Sequence, residues 1–370
     1  MKKNTLLISF FLMMGIITTG CSQNTRFFAG GFTKGDEMGM NVFELDSRRG
    51  SLKLISQADA GPNPSYFCYS PGKKLLYAAN EVMEFKGEPG GGLTTLRYDA
   101  RNASFEKAGE MVIPYGGPCY ISISPDSGYL FIANYPRGSV AVVRLDEEGI
   151  PVTVTDTILY NPEKPNASHA HMIMSDPRGD NVFVSDLGLD RIVIYDFDAR
   201  EGKLIQLENG IVPVAPGSGP RHFTFSSDGS EMYLINELGS TMMTFKNDHN
   251  GGLTLIQTLS TRGFNSAEKN YCADIHAGKS GEFIYGSNRG ENSIVVFKVA
   301  DDGTLSLAGH STCGGDWPRN FVIDPSGKFL LAGNQRSGNI AVFKINSRTG
   351  LPEGPVDSTL MKAPACLKFF

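Results

Sequence analysis

The chain has 370 residues with 34 basic and 39 acidic side chains, a formal net charge of −5, and no basic run or stripe. That balance excludes nucleic acid and anionic membrane surfaces as electrostatic partners. With 43 Gly, 20 Pro, 41% hydrophobic residues and no long stretch of helical period, it points to an all-β fold with a sizeable core.

The first twenty residues read as an export signal rather than as part of the fold. Lys2 and Lys3 precede an apolar stretch from Leu6 to Ile17, which is short for a bilayer span. It ends in Thr18-Thr19-Gly20-Cys21, which resembles a bacterial lipobox with Thr18 where Leu is usual. The expectation is a signal peptide over 1–20, lipidation at Cys21, a tether over 21–26 and a folded domain over 27–370. That makes the protein an exported, membrane-anchored lipoprotein facing the periplasm. Its membrane contact is through the lipid alone, and it is expected to be monomeric. Cys68, Cys119, Cys272, Cys313 and Cys366 are odd in number and widely spaced, so neither a disulfide framework nor a metal site is indicated.

Beyond the tether, Phe27–Gly31, Gly39–Asp46 and Ser51–Ser56 read as strands. One phrase then recurs six times: an apolar run, a Ser-Pro-Asp-Gly-like turn, a second apolar run and a closing Asn or Asp. The closing residues are Asn80, Asn134, Asp186, Asn236, Asn288 and Asn334, spaced by 54, 52, 50, 52 and 46 residues. Two further strands follow most of them, as in Ser139–Leu145 with Pro151–Ile158, Arg191–Phe197 with Lys203–Leu207, and Ser293–Val299 with Thr304–Ala308. Joints such as Ala-Arg-Glu-Gly and Asp-Asp-Gly supply the positive φ of tight hairpins. A period near 50 made of four antiparallel strands is a propeller blade. The expected fold is a seven-bladed β-propeller. Its seventh blade takes its first strand from the tail, Ala365–Phe370, so that N- and C-terminal strands close the ring.

In such a blade, residues entering strand one and leaving strand two meet around one mouth of the central channel. The entering pairs read as Ser65-Tyr66, Cys119-Tyr120, Ala170-His171, Arg221-His222, Ala273-Asp274 and Arg319-Asn320. The leaving pairs are Asn80-Glu81, Asn134-Tyr135, Asp186-Leu187, Asn236-Glu237, Asn288-Arg289 and Asn334-Gln335. Such convergence of ionisable groups in a concave place is a candidate functional site. Simpler roles stand beside it. The recurrent Asn/Asp can cap turn backbone, Glu81 and Arg137 can be solvated loop charges, and His169 can be structural. Arg221, Glu237 and Arg289 can form an ion-pair network between blades. His249, His276 and His310 fall on outer hairpins or within strands and carry no functional weight.

Four segments, SHAHMIMSDPRGDNVFVSDLGLDRIVIYDFD (168–198), GPRHFTFSSDGSEMYLINEL (219–238), SNRGENSIVVF (287–297) and PRNFVIDPSGKFLLAGNQ (318–335), resemble the seven-bladed lactonase family. That family includes propeller-type 6-phosphogluconolactonases and carboxy-muconate lactonizing enzymes. The resemblance implies catalytic roles for His171, Arg221, Glu237 and Arg289, with a small sugar lactone as substrate. His171 or Glu237 would act as base and then acid, and arginines would stabilise the oxyanion or clamp an anionic group. His222, Arg319, Asn236 and Asn288 are expected as further substrate contacts. The chain offers no serine elbow and no metal-ligand cluster, so cofactor-free attack by water is expected. A muconate-type cycloisomerase and a non-enzymatic ligand-binding propeller remain as alternatives.

Overall fold

The computed structural model describes residues 24–33, 37–164, 166–263 and 269–370. The expected signal segment 1–20 and Cys21 lie outside the described residues. Among those described there is no helix, and seven four-stranded antiparallel sheets form the ring, with one two-stranded ribbon at Glu84–Pro89. Blade one is built from Pro64–Ser70, Leu75–Asn80, Gly91–Asp99 and Ser104–Ile113. Blades two to six follow in sequence with first strands at Pro118–Ile123, Ala170–Ser175, Pro220–Phe225, Tyr271–Ala277 and Pro318–Ile323. Blade seven orders its strands as Pro364–Phe369, Thr25–Gly31, Met40–Leu45 and Leu52–Ala58, so both ends of the chain share one sheet.

The apolar pattern explains the layering. Second strands such as Leu75–Asn80 and Phe329–Asn334 are buried at every position, because neighbouring blades cover both faces of the sheet. They therefore read as continuous apolar runs. Fourth strands such as Leu253–Ser260 alternate toward solvent. Expected strands and observed ones agree closely, with one instructive difference. The strand expected to end at Leu207 runs on to Pro213. Glu208-Asn209-Gly210 looks like a turn, but the blade absorbs it as a bulge, since Tyr195 pairs with Gln206 and Val193 with Ile211.

The six closing Asn/Asp side chains are wholly buried. They latch the second strand to the segment that enters the blade. Asn80 donates to Ala60 O at 2.7 Å, and Asn334 to Cys313 O at 2.9 Å. Asp186 accepts from Ser168 Oγ at 2.8 Å and from the His169 amide at 2.9 Å. This corrects the expectation that Asn236 and Asn288 touch substrate. Asn236 donates to Thr241 Oγ1 at 2.9 Å, and Asn288 to Thr261 O at 2.8 Å and Ser293 Oγ at 3.1 Å. Asn288 Oδ1 also accepts from Asn270 at 2.9 Å. Neither side chain has surface left to meet a ligand.

Asn288→Ala removes its side-chain hydrogen bonds to Thr261 O, Ser293 Oγ and Asn270 Nδ2 from a dry interior, so stability is expected to fall by about 1–3 kcal/mol. Chemical denaturation checks this, with an unchanged midpoint as the contrary result.

Candidate active site

The site is built by a repeated irregularity. Near the head of the first strand the register slips in each of blades one to six. Pro118 pairs with Asn134 but Tyr120 with Ala133, leaving Cys119 as the extra residue. By the same slip Ser65, His171, Arg221 and Arg319 are the extra residues of blades one, three, four and six, and in blade five both Ala273 and Asp274 fall in the slip. A bulge re-aims a side chain, and here it does so at the top of the channel. The entering pair in blade three is therefore His171-Met172, one residue later than the spacing suggested, because Ala170 occupies the place that Pro118 and Pro220 hold in their blades.

A second device fixes the residues that leave strand two. The amide of Glu81 donates to Asn63 O at 3.0 Å, Tyr135 to Gly117 O at 3.0 Å, Leu187 to His169 O at 3.0 Å, Glu237 to Gly219 O at 2.7 Å and Gln335 to Trp317 O at 3.0 Å. The accepting residue precedes the bulge by two. In blades one, two, four and six it is left-handed, with Asn63 at φ +46°, Gly117 at +63°, Gly219 at +65° and Trp317 at +69°. A left-handed Trp before Pro is unusual, and its ring is held between Arg289 and Arg336, whose guanidinium carbons lie 5.3 and 3.3 Å from the ring centre.

These residues line a cavity of about 210 Å³ walled by Glu81, Cys119, Tyr135, His171, Glu237, Arg289 and Arg319. It is smaller than the roughly 300–1,000 Å³ typical of drug-sized ligand sites and suits one small ring. A larger groove of about 660 Å³ lies on the rim between blades six and seven. Its walls are mostly apolar and include the Glu37–Lys362 ion pair. The chemistry therefore belongs to the smaller cavity.

Glu237 sits between two guanidiniums, with Arg289 Nη2 at 2.7 Å and Arg221 Nε at 2.9 Å from its Oε2. Burial alone would raise its pKa, but Arg289 and Arg221 outweigh that and hold it below the usual glutamate value. Arg289 also donates to Cys272 O at 2.9 Å and Tyr271 O at 3.2 Å. Burial and the neighbouring Arg221 bring its pKa down to about 10, so it stays cationic at neutral pH. Arg319 approaches Glu81 only to 3.9 Å and packs over Phe32 at 5.0 Å. Glu81, weighed as a solvated loop charge, instead lines the cavity and accepts from Ser65 Oγ at 2.5 Å.

Two expected contacts are corrected. Arg221 has a side chain only 2% exposed and lies behind Glu237, donating to Ala273 O. It does not line the cavity. His222 lies beneath it, with Nδ1 2.8 Å from Asp274 Oδ1 and Nε2 3.4 Å from Arg221 Nη1. Asp274 also meets His276 Nε2 at 2.9 Å and Asn320 Nδ2 at 2.5 Å, so His276 takes part in this network rather than standing apart. Burial first, and then the charges of Arg221, His222 and Arg319, push the His171 pKa well below 6.5. Its Nδ1 is buried without a partner. The imidazole is neutral at physiological pH. Cys119 is the one thiol in the wall, and burial raises its pKa so far that it remains a thiol.

Burial and Arg221 also lower His222, to about 4. Both imidazoles accept protons near pH 6.5 in the unfolded chain and resist them when folded, so the unfolded state binds more protons between about 6.5 and 4. Stability should fall as pH drops through that window, by about 3 kcal/mol from His222 alone. His222→Gln should flatten this slope in denaturation curves measured from pH 7 to 4, and an equally steep slope in the variant would contradict it.

The family model described as "Lactonase, 7-bladed beta-propeller" matches residues 26–369. A 6-phosphogluconolactonase of Formosa agariphila is 32% identical over 310 residues, covering 80% of this chain and 86% of its own. One from Bacillus subtilis is 29% identical, covering 92% of this chain and 97% of its own. The solved structure of a periplasmic gluconolactonase from Pseudomonas aeruginosa superposes with a TM-score of 0.88 at 31% identity, over 94% of this chain and 99% of that one. With the ring, the mouth and these relatives in agreement, the chain belongs to the seven-bladed β-propeller lactonase family.

Proposed function

We propose that the protein hydrolyses a sugar lactone at the mouth described above, with His171 as general base and then acid. The observation that carries this reading is a neutral imidazole, with an unpartnered buried Nδ1, facing a cavity walled by two guanidiniums and two carboxylates. Arg289 and Arg319 on its wall are matched by Glu81 and Glu237, and Arg221 adds a third guanidinium from behind Glu237. Neutral His171 takes a proton from water as the water oxygen attacks the lactone carbonyl carbon. The carbonyl electron pair moves onto oxygen, and Arg289 stabilises that oxyanion. Collapse restores the C=O, breaks the ring C–O bond, and the imidazolium returns its proton to the departing oxygen.

Glu237, held ionised by two arginines, is a poor acid. Its part is to align Arg289, with Arg221 supporting it from behind. Arg319, loosely engaged by Glu81, is the guanidinium placed to meet an anionic group on the substrate. The relatives named 6-phosphogluconolactonase and gluconolactonase support an aldonolactone class, phosphorylated or not. The export reading places the enzyme outside the cytoplasm, attached by lipid at Cys21. Thr25 opens blade seven at the end of the channel opposite the mouth, so an anchor at Cys21 would hold the mouth away from the bilayer.

His171→Ala is expected to lower kcat by about 10²–10⁴ and Arg289→Ala by at least about 10². Arg319→Ala should raise KM for a phosphorylated or acidic lactone about tenfold and leave a neutral one little changed. Acid release from an aldonolactone panel checks all three. Emission of Trp317, the single tryptophan, reports binding without turnover, because Arg289 packs on its ring. Wild-type turnover in His171→Ala would refute the assignment.

A further inference from the structure

On the face of the disc opposite the mouth, blades three and four bring together Asp176, Asp180 and His249, whose ligand atoms all lie within 4.8 Å of one another. The repeat itself shows what is unusual there. In blade six the corresponding turn, Asp324-Pro325-Ser326-Gly327-Lys328, fills both oxygens of its aspartate. Oδ1 accepts from the Lys328 and Phe329 amides, and Oδ2 from the Ser326 amide and hydroxyl.

Blade three reads Asp176-Pro177-Arg178-Gly179-Asp180. Asp176 Oδ1 still accepts from the Asp180 and Asn181 amides, at 2.8 and 3.3 Å. The hydroxyl partner of Oδ2 is replaced by Arg178, and a carboxylate, Asp180, stands where blade six has Lys328. Asp176 has a fully buried side chain, and its Oδ2 is left without a hydrogen-bond partner. A buried carboxylate oxygen without a partner is costly.

The group facing that oxygen is His249 Nδ1, also buried and unpartnered, at 3.9 Å. This is too long for a hydrogen bond. It is slightly less than two metal–ligand bonds of roughly 2.0–2.2 Å laid end to end. His249 is held in place from both blades. Its amide donates to Asn247 Oδ1 at 3.2 Å, its carbonyl accepts from Asn181 Nδ2 at 3.4 Å, and its backbone is left-handed at φ +63°.

We propose that Asp176, Asp180 and His249 form a divalent-cation site that ties blade three to blade four. One imidazole with two carboxylates favours a borderline first-row ion such as Zn²⁺ over Ca²⁺ or Mg²⁺, which prefer all-oxygen ligands. The site lies at the far end of the channel from the lactone cavity, so its role is structural and it takes no part in hydrolysis.

Titrating the EDTA-treated, purified full chain with Zn²⁺ tests it. One equivalent should bind, and the unfolding midpoint should rise by at least about 3 °C at a free ion concentration near 100-fold above Kd. Asp180→Ala removes an exposed ligand, and His249→Asn keeps a residue tolerant of left-handed backbone. Each should weaken Zn²⁺ binding at least tenfold with lactone turnover unchanged. Absence of stoichiometric binding, equal affinity in both variants, or preference for Ca²⁺ over Zn²⁺ would overturn the site. So would a His249→Asn stability loss identical with and without Zn²⁺, which marks a plain ion pair.

Discussion

The molecule depends on one backbone irregularity repeated around a ring. A regular first strand would alternate its side chains between the two blade faces, and both are packed against neighbours. One extra residue at the head of the strand breaks that alternation and turns a side chain to the channel mouth. The latch Asn or Asp, the left-handed residue before the strand and the amide clamp on the leaving residue hold the bulge in place. Chemistry can then vary at the bulge while the blade stays constant, which is how one repeat yields Ser65, Cys119, His171, Arg221 and Arg319 at equivalent places.

Behind the mouth polar and charged groups join in a connected line. Asp274 holds His222, His222 faces Arg221, Arg221 holds Glu237, and Glu237 holds Arg289. Arg221, Glu237 and Arg289 alternate in sign, which is what permits ionised groups in a site this dry. The line crosses from blade five to blade four and back to blade five, so the orientation of Arg289 depends on contacts far below the cavity floor. Tyr66 and Tyr120, stacked at 4.2 Å, pack edge-on to His222 and fill the channel beneath it.

Much of this was legible in the chain. Turn residues and apolar runs announce blades because their causes are local, and the repeat period carries the ring. The grouping of His171, Glu237, Arg289 and Arg319 followed from their places in the repeat. What was not legible depends on single residues of register and on depth. The shift from Ala170 to His171 as the entering residue has no local signal, since Ala170 merely stands where other blades use Pro. Asn236 and Asn288 stand next to the cavity residues Glu237 and Arg289 in sequence, and only their inward direction removes them from the site. Glu81 and Arg137 look alike in sequence, and only radial position makes one a cavity wall and leaves the other in solvent. The pairing of Asp176 with His249 joins separate hairpins, and no spacing rule links them.

Ring closure adds a long-range constraint. The Leu367 amide donates to Asn320 Oδ1 at 2.7 Å, and Asn320 in turn contacts Asp274, the root of the charged line. Phe370 stacks on Phe28 at 4.0 Å, joining two residues far apart in sequence. The candidate site is thus braced by the strand Pro364–Phe369 as well as by its own blades. Removal of Pro364–Phe369 would spare His171, Glu237 and Arg289 and still unseat Asn320 and, through it, Asp274.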